Sequence, residues 1–326
     1  MHAVNARRLI TACVCAALAA SVAHAADPYP NRPVRFIIPQ SPGGASDTVG
    51  RIVAQKLGEN FGQQFVADNR PGATGNIGHE MGARAQPDGY TVLMTAPNLV
   101  TSASLYARVP FDPIKDFAPI THLTLSPNVW IVHPSFPAKS MNELIDLARA
   151  KPGQLNYSSS GTASTQHLAG ELLSFVTGVQ LTHIPYKGGG PALIDLLGGR
   201  VPLMSSTLPS AVPHIKTGKA RALAVSSARR SSALPDVPTV AEAANLPGYE
   251  ATTWQGLLFP AGTPKPIVNR MQREVAKVLA VNETATRLRD LGYEPVGSTP
   301  EVFATYIKSE IVKWEKVIKA ANIKSE

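Results

Sequence analysis

Cysteine is almost absent from this chain of 326 residues: Cys13 and Cys15 are its two cysteines, and both lie within the first 25 residues. If that segment is removed, no thiol remains, which excludes disulfides and thiolate metal sites. Charged residues are also few, at 17%, and no apolar run after the N-terminal segment is long enough to span a bilayer. The 44% of apolar residues nevertheless suffice for a packed core, which excludes a disordered chain.

Motifs of catalysis and of metal or nucleotide binding are missing too. We find no G-x-x-x-x-G-K-[ST] phosphate loop, no G-x-S-x-G nucleophile elbow and no histidine or carboxylate set with metal-ligand spacing. The nearest approach to a catalytic set is the serine-rich stretch 158–164 with His167 or His183, which leaves a secreted serine hydrolase as a less favoured alternative. We therefore predict that the protein is not an enzyme and has no catalytic residues, no metal and no cofactor.

The N-terminus has the pattern of a secretory signal peptide. Arg7 and Arg8 precede an apolar or small run at 9–22, and Ala23-His24-Ala25 places small residues at the two positions that a signal peptidase reads. We predict a signal peptide over residues 1–25, cleavage near Ala25 and a periplasmic mature chain.

The net charge is positive without forming a basic patch. It is +8 for the whole chain, and loss of the two signal-peptide arginines leaves about +6. Basic residues are scattered, and Arg229-Arg230 is the one adjacent pair after the signal peptide. Export also separates the chain from most nucleic acids, so we predict no nucleic-acid partner.

Short apolar segments alternate with helical patterns almost from end to end, which predicts an α/β fold with mainly parallel sheets flanked by helices. A first helix is indicated at 48–57 by the apolar spacing of Val49, Ile52, Val53 and Leu57. The expected strands are 34–39, 64–67, 91–95, 129–132, 155–158, 181–185, 202–206 and 222–226.

Two extended, proline-flanked stretches, 122–132 and 249–259, look like crossings between two lobes. Two crossings mean that the second lobe is inserted into the first. The predicted organisation is a first lobe over 26–125, a second lobe over 126–250, and a return to the first lobe over 251–326, which contains the C-terminal helices.

Loops rich in glycine and hydroxyl groups occur where predicted strands lead into helices. In open α/β sheets ligands bind beyond the carboxyl ends of strands, where free amides and the positive end of the helix dipole favour an anion. The first lobe offers the stretch 39–47, in which Ser46 or Asp47 is expected to cap the helix, the stretch 69–78 with Arg70, and Asn98. The second lobe offers 158–165 and 186–191, where Lys187 is the available cation. Ordinary turns use the same residues, so each loop alone leaves the question open.

Several motifs spread over the mature chain resemble those of one protein family. They are Tyr29-Pro30-x-x-Pro33-Val34-Arg35, Pro42-Gly43-Gly44-x-x-Asp47, Asn69-Arg70-Pro71-Gly72-Ala73-x-Gly75-Asn76-Ile77-Gly78, Pro87-Asp88-Gly89-Tyr90-Thr91, Gly161-Thr162-x-Ser164-x-x-His167-Leu168-Ala169-Gly170-Glu171, Pro185-Tyr186-Lys187-Gly188 and Pro235-Asp236-Val237-Pro238-Thr239. In this order they resemble the Bug-type (TctC-like) solute receptors of tripartite tricarboxylate transporters.

The resemblance implies a two-lobe periplasmic-binding-protein fold of type II (Venus flytrap) that closes on a small carboxylate: a di- or tricarboxylate, an acidic amino acid or an aromatic acid. It implies a monomer that serves uptake with integral-membrane transporter subunits as partners; a receptor that feeds a membrane histidine kinase is the alternative. The ligand-binding residues that it implies are Pro42, Gly43, Gly44, Ser46, Asp47, Asn98, Ser160, Gly161, Thr162, Ser164, Thr165 and Tyr186.

Overall fold

The computed structural model describes residues 29–43 and 45–324. The predicted signal peptide, its cleavage site and Gly44 lie outside these residues. No helix in the described part of the chain is both long and apolar enough to cross a membrane.

The chain begins with three parallel strands in the order β2-β1-β3, each followed by a helix. The apolar residues of β1 are buried and pack against the apolar face of α1, which explains why this stretch forms a strand covered by a helix. The elements are β1 (Val34–Ile38), α1 (Ala45–Phe61), β2 (Phe65–Asn69), α2 (Asn76–Ala83), β3 (Thr91–Thr95) and α3 (Asn98–Leu105).

A single long strand, β4 (Phe117–Val132), then carries the chain into a second group of strands. Its first part pairs antiparallel with β9 (Thr252–Pro260), from Phe117 opposite Pro260 to Pro127 opposite Thr252. Its last part pairs with β7 and β8 of the second group, again antiparallel. The predicted crossing at 122–132 thus lies within β4, and the one at 249–259 begins three residues before β9 and continues into it. These two strands are neighbours in one continuous sheet.

In the second group, β5 pairs in parallel with β6 and β7. The elements are α4 (Met141–Ala150), β5 (Leu155–Ser159), α5 (Thr165–Thr177), β6 (Leu181–Pro185), α6 (Gly189–Leu197), β7 (Leu203–Thr207), α7 (Leu208–Lys216), β8 (Arg221–Val225) and α8 (Val240–Ala244).

After β9 the chain returns to the first group through α9 (Lys265–Ala280), α10 (Asn282–Asp290), the short β10 (Glu294–Pro295) and α11 (Pro300–Ala320). Phe303, Trp314 and Ile318 of α11 are buried, which agrees with the apolar stripe in its sequence. Gly256 of β9 allows this close packing, because a Cβ atom there would lie 2.1 Å from the ring of Phe303.

The α/β class predicted from the sequence is confirmed, with one difference in strand direction. The outer strands of both groups run parallel, whereas β4 and β9 between them pair antiparallel with their neighbours. The sheet is therefore mixed, because β9 arrives from the second group instead of through a right-handed crossover from β3.

Candidate functional site

A cavity of about 400 Å³ lies between the two groups of strands. Loops after β1 and β3 contribute to one side, and the loop before α5 together with Thr253 of β9 contributes to the other. The residues that line it are Pro39, Gln40, Ser41, Pro71, Gly72, Thr74, Gly75, Ala96, Pro97, Asn98, Thr101, Ala163, Ser164, Thr165, Leu168 and Thr253.

A second cavity, of about 570 Å³, adjoins the first and shares Thr74, Ala163 and Ser164 with it. Its other lining residues are Leu105, Tyr106, Gly161, Thr162, Pro185, Tyr186 and Lys187. We call the two cavities together the cleft.

Two helices begin in the lining of the first cavity. Helix α3 starts at Asn98, and α5 starts at Thr165 after Ser164, whose hydroxyl accepts a hydrogen bond from the His167 amide at 3.1 Å. The first turn of a helix carries partial positive charge. In α3 the amides of Leu99, Val100 and Thr101 already donate to the carbonyls of Ala96 and Pro97, so this helix contributes mainly its dipole. Among the described residues that line the first cavity, none has a charged side chain. The cavity therefore offers an anion neutral hydrogen-bond donors and two helix dipoles, without a counter-ion to desolvate.

An unusual backbone conformation shapes the first-group side of the cleft. Gly72, Ala73, Thr74 and Gly75 all have positive φ angles, and the Thr74 carbonyl accepts a hydrogen bond from Asn98 Nδ2 at 2.5 Å. At Gly75 a Cβ atom would lie 2.3 Å from that same nitrogen. Only glycine fits here, because both the φ angle of +91° and the space exclude a side chain.

The carboxylate of Asp47 does not line the cleft but holds the preceding loop. It accepts hydrogen bonds from the Gly43 amide at 2.8 Å, Asn69 Nδ2 at 2.9 Å and Arg51 Nε at 3.0 Å. Burial raises the pKa of Asp47, but these hydrogen bonds outweigh it and hold the pKa below its usual value. The expected capping role of Ser46 or Asp47 is wrong, because α1 begins at Ala45 and both residues already lie in its first turn.

The other residues of that first loop also stand back from the cleft. Pro42 and Gly43 are exposed and Ser46 is buried, and none of the three lines either cavity. The preceding residues Gln40 and Ser41 line the first cavity instead. Gly44 lies outside the described residues.

Most of the second-group residues that the family resemblance implies do line the cleft. Gly161, Thr162, Ser164, Thr165 and Tyr186 all line the cleft, as does Asn98 of the first group. Ser160 does not line it; its hydroxyl donates to Gln166 Oε1 at 2.8 Å.

Tyr186 contributes its ring rather than a free hydroxyl. The phenol donates to Asp195 Oδ2 at 2.8 Å, and burial together with this hydrogen bond raises the pKa of Tyr186. Arg70, which the sequence offered as an anion partner, pairs with Asp68 at 2.8 Å and lines neither cavity.

Sequence patterns do not identify every residue that lines the cleft; examples are Thr74, Thr101, Tyr106 and Thr253. Thr74 lies within the glycine-rich stretch 69–78, which itself indicates a ligand-binding loop. Thr253 and Tyr106 reach the cleft only through pairing and packing with segments distant in sequence, which no local pattern reveals.

The serine–histidine pair closest to a hydrolase arrangement is Ser159 and His183, whose Oγ and Nε2 atoms are 2.6 Å apart. Ser159 is fully buried and lines neither cavity, so its hydroxyl does not face the cleft. Within residues 29–43 and 45–324, no group of three or more His, Cys, Asp or Glu side chains could hold a metal ion.

Comparison with known proteins gives consistent results. The sequence model described as "Tripartite tricarboxylate transporter family receptor" matches residues 49–323. The protein BugT of Bordetella pertussis is 35% identical over 301 residues, which cover 92% of this chain and 92% of BugT.

Solved structures agree in fold over most of the chain. Rpa4515 of R. palustris, whose structure contains adipate, is 39% identical with a TM-score of 0.74, covering 91% of this chain and 100% of that one. MatC of Rhodopseudomonas palustris, with bound malate, is 33% identical with a TM-score of 0.71, covering 89% of this chain and 100% of MatC.

Proposed function

Because this chain belongs to the tripartite tricarboxylate transporter receptor family, we propose that it captures a small carboxylate in the cleft outside the cytoplasm and releases it unchanged for uptake. The observation that carries this proposal is the convergence of two helix N-termini on a cavity whose described lining has no charged side chain. Such a lining suits an anion that is held by amides and hydroxyls. The family and the related structures are solute receptors, which supports binding without chemistry.

A carboxylate suits this lining better than a large anion does. Backbone amides and the hydroxyls of Thr74, Ser164 and Thr165 can replace the water around two oxygen atoms, and bridging waters can complete the shell. The second cavity extends beyond the shared boundary and brings Lys187 within the lining. Di- and tricarboxylates, acidic amino acids and aromatic acids are the ligands that the proposal covers.

Capture requires that the two sides of the cleft move together. We propose lobes over 26–125 with 251–326 and over 126–250, joined by β4 and β9 as the hinge strands. Two neighbouring strands permit bending about one axis, because each needs only small changes in φ and ψ at the crossing. Closure would bury the ligand and change the outer surface.

We further propose that the mature protein is a periplasmic monomer that starts near Ala26, after cleavage near Ala25. Integral-membrane transporter subunits are the expected partners, since the family is the receptor component of a tripartite system.

The first test is a panel of carboxylates that includes adipate and malate, with the methyl ester of each acid as the uncharged control. Saturable binding should raise the melting temperature by mass action for an acid and leave it unchanged for its ester. Native mass spectrometry and product analysis of the same mixtures should show intact ligand. The carboxylate proposal fails if no acid in the panel shifts melting, and the binding-only proposal fails if product accumulates.

A matched pair of variants places one charge in the cleft. Ala163 lines both cavities and has a φ angle of +59°, a conformation in which Asn and Asp are well tolerated. Ala163→Asp and Ala163→Asn differ by a single charge at nearly equal volume. We expect the Asp variant to lose carboxylate binding by repulsion while the Asn variant keeps it; equal loss in both would show that shape rather than charge governs the site.

A further inference from the structure

Beneath the 160–164 loop, which supplies the second-group side of the cleft, two histidine rings are stacked face to face. The rings of His167 in α5 and His183 in β6 have centroids 3.7 Å apart and are inclined by 8°. Neither ring lines the cleft. Each ring is nevertheless connected to the loop through one nitrogen atom. His167 uses Nδ1, which contacts the loop directly, and His183 uses Nε2, which contacts Ser159 next to the loop.

His167 contacts the loop through Nδ1. This nitrogen accepts a hydrogen bond from the Ala163 amide at 2.9 Å, and Ala163 lines both cavities. A backbone amide can only donate, so Nδ1 carries no proton and the proton of the neutral ring must be on Nε2. Nε2 lies 3.4 Å from Glu171 Oε1, an oxygen that accepts a hydrogen bond from the Tyr157 hydroxyl at 2.8 Å.

His183 acts on the loop indirectly, through Ser159 at the end of β5. His183 Nε2 lies 2.6 Å from Ser159 Oγ. The same hydroxyl donates a hydrogen bond to the Gly161 carbonyl at 3.1 Å and accepts one from the Gly161 amide at 3.1 Å. Gly161 has a φ angle of +136° and lines the second cavity. His183 therefore fixes the serine hydroxyl on which the turn at Gly161 depends.

The loop needs such support because its conformation is unfavourable. Ala163 is not a glycine, yet its φ angle is +59°. A left-handed conformation of this kind persists when surrounding contacts over-determine it. The hydrogen bond to His167 Nδ1 is a contact of that kind, since it holds the amide of the strained residue itself.

We propose that His167 and His183 are positioning residues for ligand binding, which act through Nδ1 and Nε2 respectively to hold the 160–164 loop in its binding conformation. This inference rests on the proposed function, because it assumes that the 160–164 loop binds a carboxylate in the cleft. Both residues act through another residue, and neither touches the ligand.

The different nitrogens allow a crossed rescue experiment. At position 167 the Oδ1 atom of asparagine takes the place of the acceptor Nδ1. At position 183 the side-chain amide of glutamine takes the place of Nε2, and its NH2 group can donate to Ser159 Oγ while that hydroxyl donates to the Gly161 carbonyl. We expect His167→Asn to bind adipate or malate within about threefold of the unchanged protein and His167→Gln to bind roughly tenfold more weakly, since the loss of one hydrogen bond that holds the loop corresponds to about that factor. At position 183 the order is reversed, with Gln rescuing and Asn failing. Equal affinities for the Asn and Gln variants at both positions would overturn the proposal.

A second measurement needs no ligand. Hydrogen exchange of the Ala163 amide, followed by NMR in the full mature chain, should be at least about tenfold faster in His167→Gln than in His167→Asn. The nitrogen spectrum of the unchanged protein should show His167 with its proton on Nε2; a proton on Nδ1 would contradict the assignment directly.

The two measurements separate this inference from the function on which it rests. If neither adipate nor malate binds the unchanged protein, the choice of ligand in the proposed function is wrong for these two acids, and the exchange rates still decide whether His167 holds the loop. If the ligands bind but the amide exchanges equally in both variants, the positioning role is wrong and the receptor function stands.

Discussion

The hydroxyl oxygens of Thr165 and Thr253 lie 2.8 Å apart and join the first residue of α5 to strand β9 in the lining of the first cavity. Thr165 belongs to the second group of elements, whereas β9 runs back toward the first. The two hydroxyls therefore form a direct hydrogen bond where β9 joins the second group of elements to the first.

Thr253→Val should weaken carboxylate binding about three- to tenfold, because valine keeps the shape but leaves the Thr165 hydroxyl without its partner. The loss of unfolding free energy should stay below about 1.5 kcal/mol, since one hydrogen bond is removed. Isothermal titration and urea unfolding measure the two quantities. Thr305→Val, at an exposed position on α11, is the control and should change neither. Unchanged affinity in Thr253→Val would show that the link has no part in the binding geometry.

Gly75→Ala should be strongly damaging, because the added Cβ would meet Asn98 Nδ2 in a residue already at a φ angle of +91°. We expect a loss of about 2–4 kcal/mol in unfolding free energy together with loss of binding. Gly218→Ala is the matched control: Gly218 has a φ angle of +70°, but no atom lies within 4 Å of the place that an added Cβ would take. It should show the cost of the positive φ angle, about 1–2 kcal/mol, without loss of binding. Similar effects of both substitutions would mean that crowding at Asn98 is unimportant.

Acid should destabilise the protein through three histidines whose pKa is lowered in the folded state. Burial lowers the pKa of His79 to about 3. At His122 burial lowers the pKa to about 4 despite an opposing hydrogen bond with the Thr124 backbone, and at His183 burial and the neighbouring His167 ring lower the pKa to about 4. All three rings charge below about pH 6.5 in the unfolded chain, so their stabilising effect is complete above that pH and is lost as the pH falls toward the folded-state values. The free energy of unfolding measured in urea should fall by on the order of 3–5 kcal/mol between pH 7.5 and pH 5.

His122→Gln should reduce this loss by roughly a third, because it removes one of the three titrating rings. His133→Gln is the control; that ring is only partly buried and bonds Ser135 Oγ at 2.7 Å. An unaltered pH dependence in His122→Gln would contradict the assignment.

Tyr186→Phe tests whether the phenol takes part in binding. Because its hydroxyl is engaged by Asp195, we expect the Kd for a bound carboxylate to change less than about twofold, with a loss of stability near 1 kcal/mol. Tyr186→Ala removes the ring from the lining of the second cavity and should weaken binding more than Tyr186→Phe does. A large loss of affinity in Tyr186→Phe would restore the direct role that the family resemblance implies.

The local pattern of apolar and turn residues is sufficient to predict many strands of the fold. Strands at Thr91–Thr95 and Leu181–Pro185 have the bounds expected from their apolar runs and flanking turn residues. The length of β4 was not predictable, because Thr121, His122 and Thr124 interrupt its apolar pattern. These polar residues are buried since β9, Ser298 and α11 cover them, and these segments are distant in sequence.

In the candidate site, too, local sequence predicts some features, whereas others depend on contacts between residues distant in sequence. A loop that leads into a helix can be recognised from glycine and hydroxyl residues, and the starts of α3 and α5 do line the cleft. The direction of a side chain cannot be read this way. Asp47 turns away because Arg51 and Asn69 bind it, and Asn69 is 22 residues distant.

The order in which the strands leave the ribosome has a consequence for folding. Strand β3 completes its pairing only with β9, where Leu93 lies opposite Leu258, and α11 covers the result last of all. The half of the sheet that is synthesised first therefore gains its last neighbour only after residues 252–260 have emerged, and pairing between segments so distant in sequence is slow. We therefore expect the first half of the sheet to reach its final pairing only after β9 has been synthesised, rather than while the earlier strands emerge.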